Sequence, residues 1–233
     1  MKEKFQLKQT VVTIIADAPE HIARAKQAIS VHRRSLELFI ELNPFFRFAL
    51  EPIEEYIGDP PDIVRRMLGA SSAAKVGPMA AVAGVIADLA VEAMVDAGAS
   101  YAIVDNGGDI ALTSDRDVVV GIYGGVSPFK DVGFKIEPTQ FLGVCTSSAT
   151  VGPSINFGTA DVACVIAETA CLADAAASAL GNLSNDPEAA FGAIKAISGV
   201  EGALLIVGDK LATWGKLPTI VRASVDAACV THA

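Results

Sequence analysis

The sequence predicts an α+β fold in which a mostly antiparallel sheet is packed by helices. Long helical segments alternate with groups of strands, which is the order typical of that class. Short turns join the strands within a group, as at the Asn-Gly dipeptide of residues 106–107. Hydrophobic residues make up 52% of the 233 residues and charged residues 19%, so a sizeable core is expected. No linker interrupts the chain, and we expect one domain over residues 1–233. A helix ending in glycine and followed by strands occurs in both halves, which is a weak sign of duplication.

The first half is predicted from apolar periodicity and from prolines and glycines at its boundaries. Alternation of β-branched residues indicates strands, and apolar stripes at helical spacing indicate helices. In chain order these are a strand at 5–17, a helix at 19–43, a short strand at 45–53 and helices at 59–75 and 78–97.

The second half is predicted to be richer in strands. Its strands are short, β-branched and bounded by glycine or polar turns. They are expected at 101–105, 110–113, 117–125, 132–138, 141–146, 161–168, 202–209 and 211–215, with helices at 171–182 and 186–198.

Composition excludes several classes of protein. The formal net charge of −9 argues against nucleic acid, because affinity for phosphate backbones comes mostly from Lys and Arg. The first ten residues lack the apolar region of a secretory signal, so a cytoplasmic protein is expected. The apolar helix at 78–97 contains Asp88 and Glu92, which favours a buried core helix over a membrane span. The acidic, apolar-rich chain also hints at a homo-oligomer of undetermined order.

The four cysteines and three histidines are scattered and form no zinc motif. Buried free thiols are therefore expected. Cys145 alone is notable, because it directly precedes a run of hydroxyl residues.

The segment Asn106-Gly107-Gly108-Asp109 follows a buried strand and supports two interpretations. Paired glycines let a ligand approach the backbone closely or present amide hydrogens to an anion. The flanking carboxylates of Asp105 and Asp109 would orient a hydroxyl, a ribose or a metal. The alternative is a plain hairpin turn.

Asp174 and Ser178 are four residues apart in the alanine-rich helix at 171–182, so they share one face of it. A carboxylate and a hydroxyl one turn apart are suitable oxygen ligands for Mg²⁺. The alternative is that Asp174 stabilises the dipole of its own helix near the N-terminus.

Residues 144–158 form an uncharged loop rich in hydroxyls and glycines. Such donors suit a phosphate or carboxylate group, and loops of this length are usually functional. The alternative is a loop that satisfies its own backbone through Ser and Thr turns. The ligand-binding candidates here are Thr146, Ser147, Ser148 and Asn156.

Four motifs taken in order resemble the ApbE-like superfamily over nearly the whole chain: GPMAAVAGVIADLA, VDNGGDIAL, GVCTSSATVGPSINFG and CLADAAASALGN. The resemblance is closest to an uncharacterised prokaryotic branch. It implies duplicated T-fold-like units with mostly antiparallel sheets. The superfamily's flavin transferases are Mg²⁺-dependent and move FMN from FAD to a protein threonine. The resemblance therefore implies Mg²⁺ and FAD, or another nucleotide, as cofactors.

The resemblance also assigns residues. Asp174 and Ser178 stand at the positions of the Asp and Thr that bind metal in the transferases. Asp109 lies in the shared Gly-Gly-Asp motif, and Gly84 with Asp88 resemble a glycine-to-aspartate helix motif of the superfamily.

Departures from the transferases argue against flavin transfer by this chain. Ala83 stands where the transferases have Lys, and their histidine motif is absent from the loop. In the uncharacterised branch, Gly and His stand where this chain has Ala149 and Pro153. Some members of that branch are connected with sulfur assimilation towards homocysteine.

Three functions follow as hypotheses. The first is binding of a phosphate- or carboxylate-bearing small molecule, with or without a divalent cation, between the 106–109 turn, the 146–158 loop and the 171–182 helix. The second is Mg²⁺-dependent FMN transfer from FAD. The third is a non-catalytic part in sulfur transfer that involves Cys145.

Overall fold

The computed structural model describes residues 1–54, 56, 58–124, 127–129, 131–148 and 158–223. These residues form three layers, which are a helical layer, an eight-stranded sheet and a three-stranded sheet. The strands are β1 (Lys2–Leu7), β2 (Thr10–Ala16), β3 (Tyr101–Asp105), β4 (Asp109–Ser114), β5 (Val118–Ile122), β6 (Val132–Ile136), β7 (Thr139–Ser147), β8 (Val162–Ala167), β9 (Val200–Val207), β10 (Lys210–Gly215) and β11 (Thr219–Arg222). The helices are α1 (Pro19–Leu42), α2 (Phe45–Phe48), α3 (Asp62–Ala74), α4 (Val82–Asp96), α5 (Ala170–Asn182) and α6 (Pro187–Lys195), and a 3₁₀ turn at Pro78–Ala81 leads into α4.

The large sheet reveals the duplication. Its order is β1-β2-β3-β4-β7-β8-β9-β10, and every neighbouring pair is antiparallel. Helices α1 to α4 lie between β2 and β3 in the chain, and α5 and α6 lie between β8 and β9. Each half is therefore a hairpin, then helices, then a second hairpin. The α+β prediction, with duplicated T-fold-like units and a mostly antiparallel sheet, is confirmed.

The two faces of the large sheet bury separate cores, because side chains alternate along each strand. Cys145 packs in the core beneath the helices, whereas Val144 packs in the core beneath the small sheet. Residues opposite each other in an antiparallel pair share a face. Asp109 pairs with Cys145 and so faces the helices, while Thr146 pairs with Cys164 and faces the small sheet.

Two predicted strands are wrong in detail. The segment 5–17 is a hairpin, since β1 and β2 turn at Lys8, whose φ is 55°. The segment 45–53 begins with the helical turn α2 instead of a strand. Phe46 is buried there, with its ring centroid 5.1 Å from that of Phe39. A single anchored ring suits one helical turn, whereas a half-buried strand would bury alternate residues.

One described helical segment, Pro78–Asp96, is long and apolar enough to cross a membrane by length and composition. It is mostly buried inside the protein, and its centre includes the fully buried residues Ala87, Ala90 and Val91. Core helices of folded proteins share this composition, and this one packs between α1, α5 and the sheet.

Candidate functional site

The turn between β3 and β4 is held in a conformation that requires glycine. Gly107 and Gly108 have φ angles of 73° and 102°, which lie in the left-handed region. The Asp105 carboxylate accepts a hydrogen bond from the Gly108 amide at 2.9 Å, and the Asn106 amide donates to the Asp109 carbonyl at 3.0 Å. The hairpin interpretation therefore holds for the backbone.

The same turn also contacts the start of helix α4. The Asn106 side-chain amide donates a hydrogen bond to the carbonyl of Ala83 at 3.0 Å. Ala83 is the second residue of α4, so the turn lies against the N-terminal end of that helix. Two of the segments that carry predicted site residues are thereby adjacent.

Helices α4 and α5 each cap the N-terminal end of the other through an aspartate side chain. The Gly84 amide in the first turn of α4 donates to Asp174 Oδ2 of α5 at 2.9 Å. In return, the amides of Ala170 and Cys171 in the first turn of α5 donate to the two oxygens of Asp88, both at 2.8 Å. Each carboxylate thus satisfies N–H groups that have no partner within the other helix.

This exchange corrects one interpretation of Asp174. Its own helix is capped by Thr169, whose hydroxyl accepts from the Leu172 amide at 3.2 Å. Asp174 lies beyond the first turn of α5. Its carboxylate accepts a hydrogen bond from the Gly84 amide, so it stabilises the positive, N-terminal end of α4 instead of that of α5.

Close packing at Gly84 makes the exchange possible. A Cβ atom at this position would lie 2.2 Å from the Ala170 carbonyl oxygen and 2.9 Å from Asp174 Cβ. Only glycine lets the two helix ends approach this closely.

Asp109 lies beside these helix ends, at the start of strand β4. The Cys145 side chain and the Thr146 backbone amide lie near its carboxylate and lower its pKa, against the larger effect of burial. Cys145 Sγ also lies 3.3 Å from the Ala170 carbonyl, at the start of α5. Strands β4 and β7, which pair at the centre of the sheet, therefore bring Asp109 beneath the helix ends.

The site concentrates carboxyl groups whose pKa values are raised. Burial raises the pKa of Asp109 well above its usual range, and the negative charge of Asp174 adds to that rise. Burial likewise raises the pKa of Asp174 to about 7, against the opposing effect of the Gly84 and Ala83 amides. Among the described residues, neither carboxylate forms an ion pair with a lysine, arginine or histidine. Both side chains keep partly accessible surface.

The two neighbouring aspartates are also partly or fully buried. Burial raises the pKa of Asp88 to about 6, while the Cys171 and Ala170 amides act against that rise. Burial raises the pKa of Asp105 too, and the Gly108 amide opposes it. No group of three or more His, Cys, Asp or Glu suited to a metal occurs within the described ranges. A closed, all-protein metal site of the zinc type is therefore absent from that part of the chain.

The side chains predicted as hydroxyl ligands lie at different places in the fold. Thr146 lies opposite Cys164 on the sheet face away from the helices, so its side chain does not share the Asp109 niche. Ser147 and Ser148 are both buried. Ser178 is partly exposed on α5, one turn beyond Asp174. Asn156 lies outside the described residues.

The Cys145 thiol is fully buried, and burial raises its pKa well above the usual range. The nearby carboxylates raise this pKa further. A thiol that stays protonated is a poor nucleophile. Its contacts instead connect Asp109 to the start of α5.

The sequence analysis does not predict two contacts of the site. The capping role of Asp88 towards α5 and the carbonyl of Ala83 as acceptor for Asn106 both depend on tertiary contacts. A signal did exist: GVIAD at 84–88 and ACLAD at 170–174 each place an aspartate four residues after a residue in the first turn of a helix.

Solved structures place this fold in a known class. The flavinyl transferase ApbE of Pseudomonas stutzeri, in its apo form, superposes with a TM-score of 0.57 at 13% identity, covering 92% of this chain and 94% of that one. The flavin transferase ApbE of Vibrio cholerae gives 0.54 at 13% identity, covering 92% and 96%. At such identity the likeness establishes the ApbE fold.

The family follows from closer relatives. Residues 2–202 match the family described as AbpE bacteria, and the chain belongs to it. A UPF0280 protein of Methanosarcina acetivorans is 54% identical over 238 residues, covering 100% of this chain and 94% of the relative. A UPF0280 protein of Methanocella arvoryzae is 56% identical over 227 residues, covering 96% and 92%. The resemblance inferred from the four motifs is confirmed.

Proposed function

We propose that the protein binds a divalent cation between Asp109 and Asp174 and, with it, a phosphate- or carboxylate-bearing small molecule of the flavin-nucleotide type. The proposal rests on two carboxylates from the two halves of the fold whose charges interact and which form no ion pair with a cationic side chain among the described residues. Like charges at close range are costly in a buried site unless a proton or a cation neutralises them.

The donor set fits Mg²⁺. This ion prefers oxygen ligands and usually takes one or two carboxylates while keeping several waters. Asp109 and Asp174 would supply the carboxylates, and Ser178 on the same face of α5 as Asp174 would supply a hydroxyl or bind a metal-held water. A bound cation would neutralise phosphate oxygens of the ligand.

The flavin-type ligand is supported by the fold and by the turn. The P. stutzeri and V. cholerae proteins of this fold are named flavin transferases. Gly107 is exposed at the tip of the 106–109 turn, where a missing side chain allows a phosphate close to the backbone. Asn106 would form part of the same wall. We place the protein in the cytoplasm, in agreement with its three free, buried cysteines among the described residues.

Flavin transfer itself is not part of the proposal. Ala83 cannot supply the charge of a lysine at the start of α4. Incubation with FAD, Mg²⁺ and a threonine-containing acceptor peptide is expected to leave the peptide mass unchanged. A gain equal to FMN would show that the chain is a transferase.

Calorimetric titration tests the binding proposal. Mg²⁺ followed by FAD is expected to bind the wild-type protein, and Asp174→Asn is expected to weaken Mg²⁺ binding by about 100-fold, since removing one partner of a buried charge contact costs about 3 kcal/mol. Asp209→Asn is the matched control, because it removes the same charge from an exposed residue. Equal binding by Asp174→Asn and wild type would refute the cation site, and no heat from any nucleotide would refute the ligand class.

The raised pKa values predict how stability depends on pH. In the unfolded chain an aspartate ionises near pH 4, whereas Asp174 in the folded protein keeps its proton to about pH 7 because of burial. The folded state therefore binds more protons between these values, so the free energy of unfolding falls as pH rises through this window. We expect a loss of roughly 1–3 kcal/mol without metal. Denaturant titrations from pH 5 to pH 8 would measure it.

Saturating Mg²⁺ is expected to offset this loss at pH 8 and to have little effect at pH 5, where protons occupy the same carboxylates. A free energy of unfolding that rises from pH 5 to pH 8 without metal would contradict the assignment of the raised pKa values.

A further inference from the structure

Helix α1 has a second apolar face that is not part of the core. Val31, Leu38 and Leu42 are 57%, 49% and 83% exposed. At 100° per residue these three fall within about 40° of one another around the helix. The buried residues Ile29 and Leu36 lie on the opposite side.

Two more exposed apolar residues follow the end of α1. Phe45 and Phe48 of α2 are 73% and 71% exposed, whereas Phe46 between them is buried. Several large apolar side chains exposed on neighbouring elements typically mark an interaction surface. We call Val31, Leu38, Leu42, Phe45 and Phe48 the outer apolar face.

We propose that a second copy of this chain covers the outer apolar face, with the two α1 helices antiparallel across a two-fold axis. Two complementary charges beside the face indicate that the partner is a second copy of the chain. Arg34 and Glu41 lie along one edge of the face and are both exposed, and neither forms an ion pair with any described residue.

The spacing of these charges fits an antiparallel pair. Arg34 and Glu41 are equally far from the point between Glu37 and Leu38. With the axis at that point, Arg34 of each copy faces Glu41 of the other, and Leu38 lies beside the axis against its own copy. Such an isologous contact closes on itself, because each pairing occurs twice.

A groove on the same side receives the aromatic rings. It lies between α1 and α4. Its apolar part is lined by Ala28, Val31, Ala93 and Ala97, and its polar rim is formed by Arg24, Gln27, His32 and Asp96. In the antiparallel register, Phe45 of one copy lies over residues 27–31 of the other. The small alanines leave room for a ring, and Phe45 requires apolar cover.

Sedimentation velocity over a range of concentrations tests the proposal on the full chain. The wild type is expected to have the mass of two chains, and Leu38→Glu the mass of one, because it places two carboxylates beside the axis. Since Leu38 is half exposed, the variant is expected to fold, and its circular dichroism would verify this. Val119→Glu is the matched control, because Val119 is 57% exposed on β5 and is expected to leave the dimer intact.

A charge exchange tests the register. Arg34→Glu and Glu41→Arg are each expected to weaken association, and the double variant is expected to restore it. Failure of the double variant to recover would overturn the register and with it the proposal. A wild-type protein that stays monomeric at every concentration, a dimer unaffected by Leu38→Glu, or a monomer that floats with phosphatidylcholine–phosphatidylglycerol vesicles would each overturn it as well.

Discussion

Replacing Gly84 with alanine is expected to lower the free energy of unfolding by about 3 kcal/mol, at the upper end of the usual cost of overpacking. The new Cβ would lie 2.2 Å from the Ala170 carbonyl oxygen, which is backbone and cannot rotate away. Helices α4 and α5 would have to separate, which would also break the bond from the Gly84 amide to Asp174. For a domain of this size the melting temperature would fall by roughly 6–12 °C.

Gly69→Ala is the matched control. Gly69 also lies inside a helix, α3, but a Cβ there would meet nothing within 4 Å. This substitution is expected to stabilise the protein by about 0.5–1 kcal/mol, because alanine has the better helix propensity. If Gly84→Ala lowers the free energy of unfolding and Gly69→Ala raises it, the cause of the loss is close helix packing at Gly84. A neutral Gly84→Ala would mean that α4 and α5 do not approach as described.

Replacing Asp88 with alanine is the second large effect expected. Asp88 is only 6% exposed, and its two oxygens accept the amides of Ala170 and Cys171. Alanine would leave both amides unsatisfied in a dry environment, where each unmet donor costs about 1–3 kcal/mol. We expect a loss of about 3 kcal/mol near neutral pH, measured by denaturant unfolding.

Asp186→Ala provides the comparison for Asp88. Asp186 accepts two amides at the start of α6 in the same way, from Glu188 and Ala189, but it is exposed to water. Water can replace the lost acceptor there, so the expected cost is about 1 kcal/mol. Equal costs for the two variants would show that burial does not govern the contribution of Asp88.

Much of the fold could be predicted from periodicity. Local sequence patterns predict the apolar stripe of α1, the end of α4 before a glycine and the Asn-Gly turn between β3 and β4. All three features are present in the structure. The failure at 45–53 has a physical cause. FFRFAL is apolar enough for a strand, and only the anchoring of Phe46 beside Phe39 selects the helical turn.

The candidate site could be predicted only in part. The motifs predict Asp109 and Asp174 as site residues, and the two carboxyl groups lie near enough for the charge of Asp174 to raise the pKa of Asp109. Thr146 faces away from this niche, because the face of a strand residue depends on pairing register, and Thr146 lies opposite Cys164 on the other side of the sheet. The reciprocal caps require α4 to pack against α5, which sequence spacing alone does not specify.

The most direct test of the cation site is a crystal structure grown with Mn²⁺ and FAD and measured at the manganese absorption edge. We expect an anomalous peak about 2.1 Å from carboxylate oxygens of both Asp109 and Asp174, with flavin phosphate density beside the 106–109 turn. A flavin bound without any peak between these two carboxylates, or a peak at another position, would contradict it.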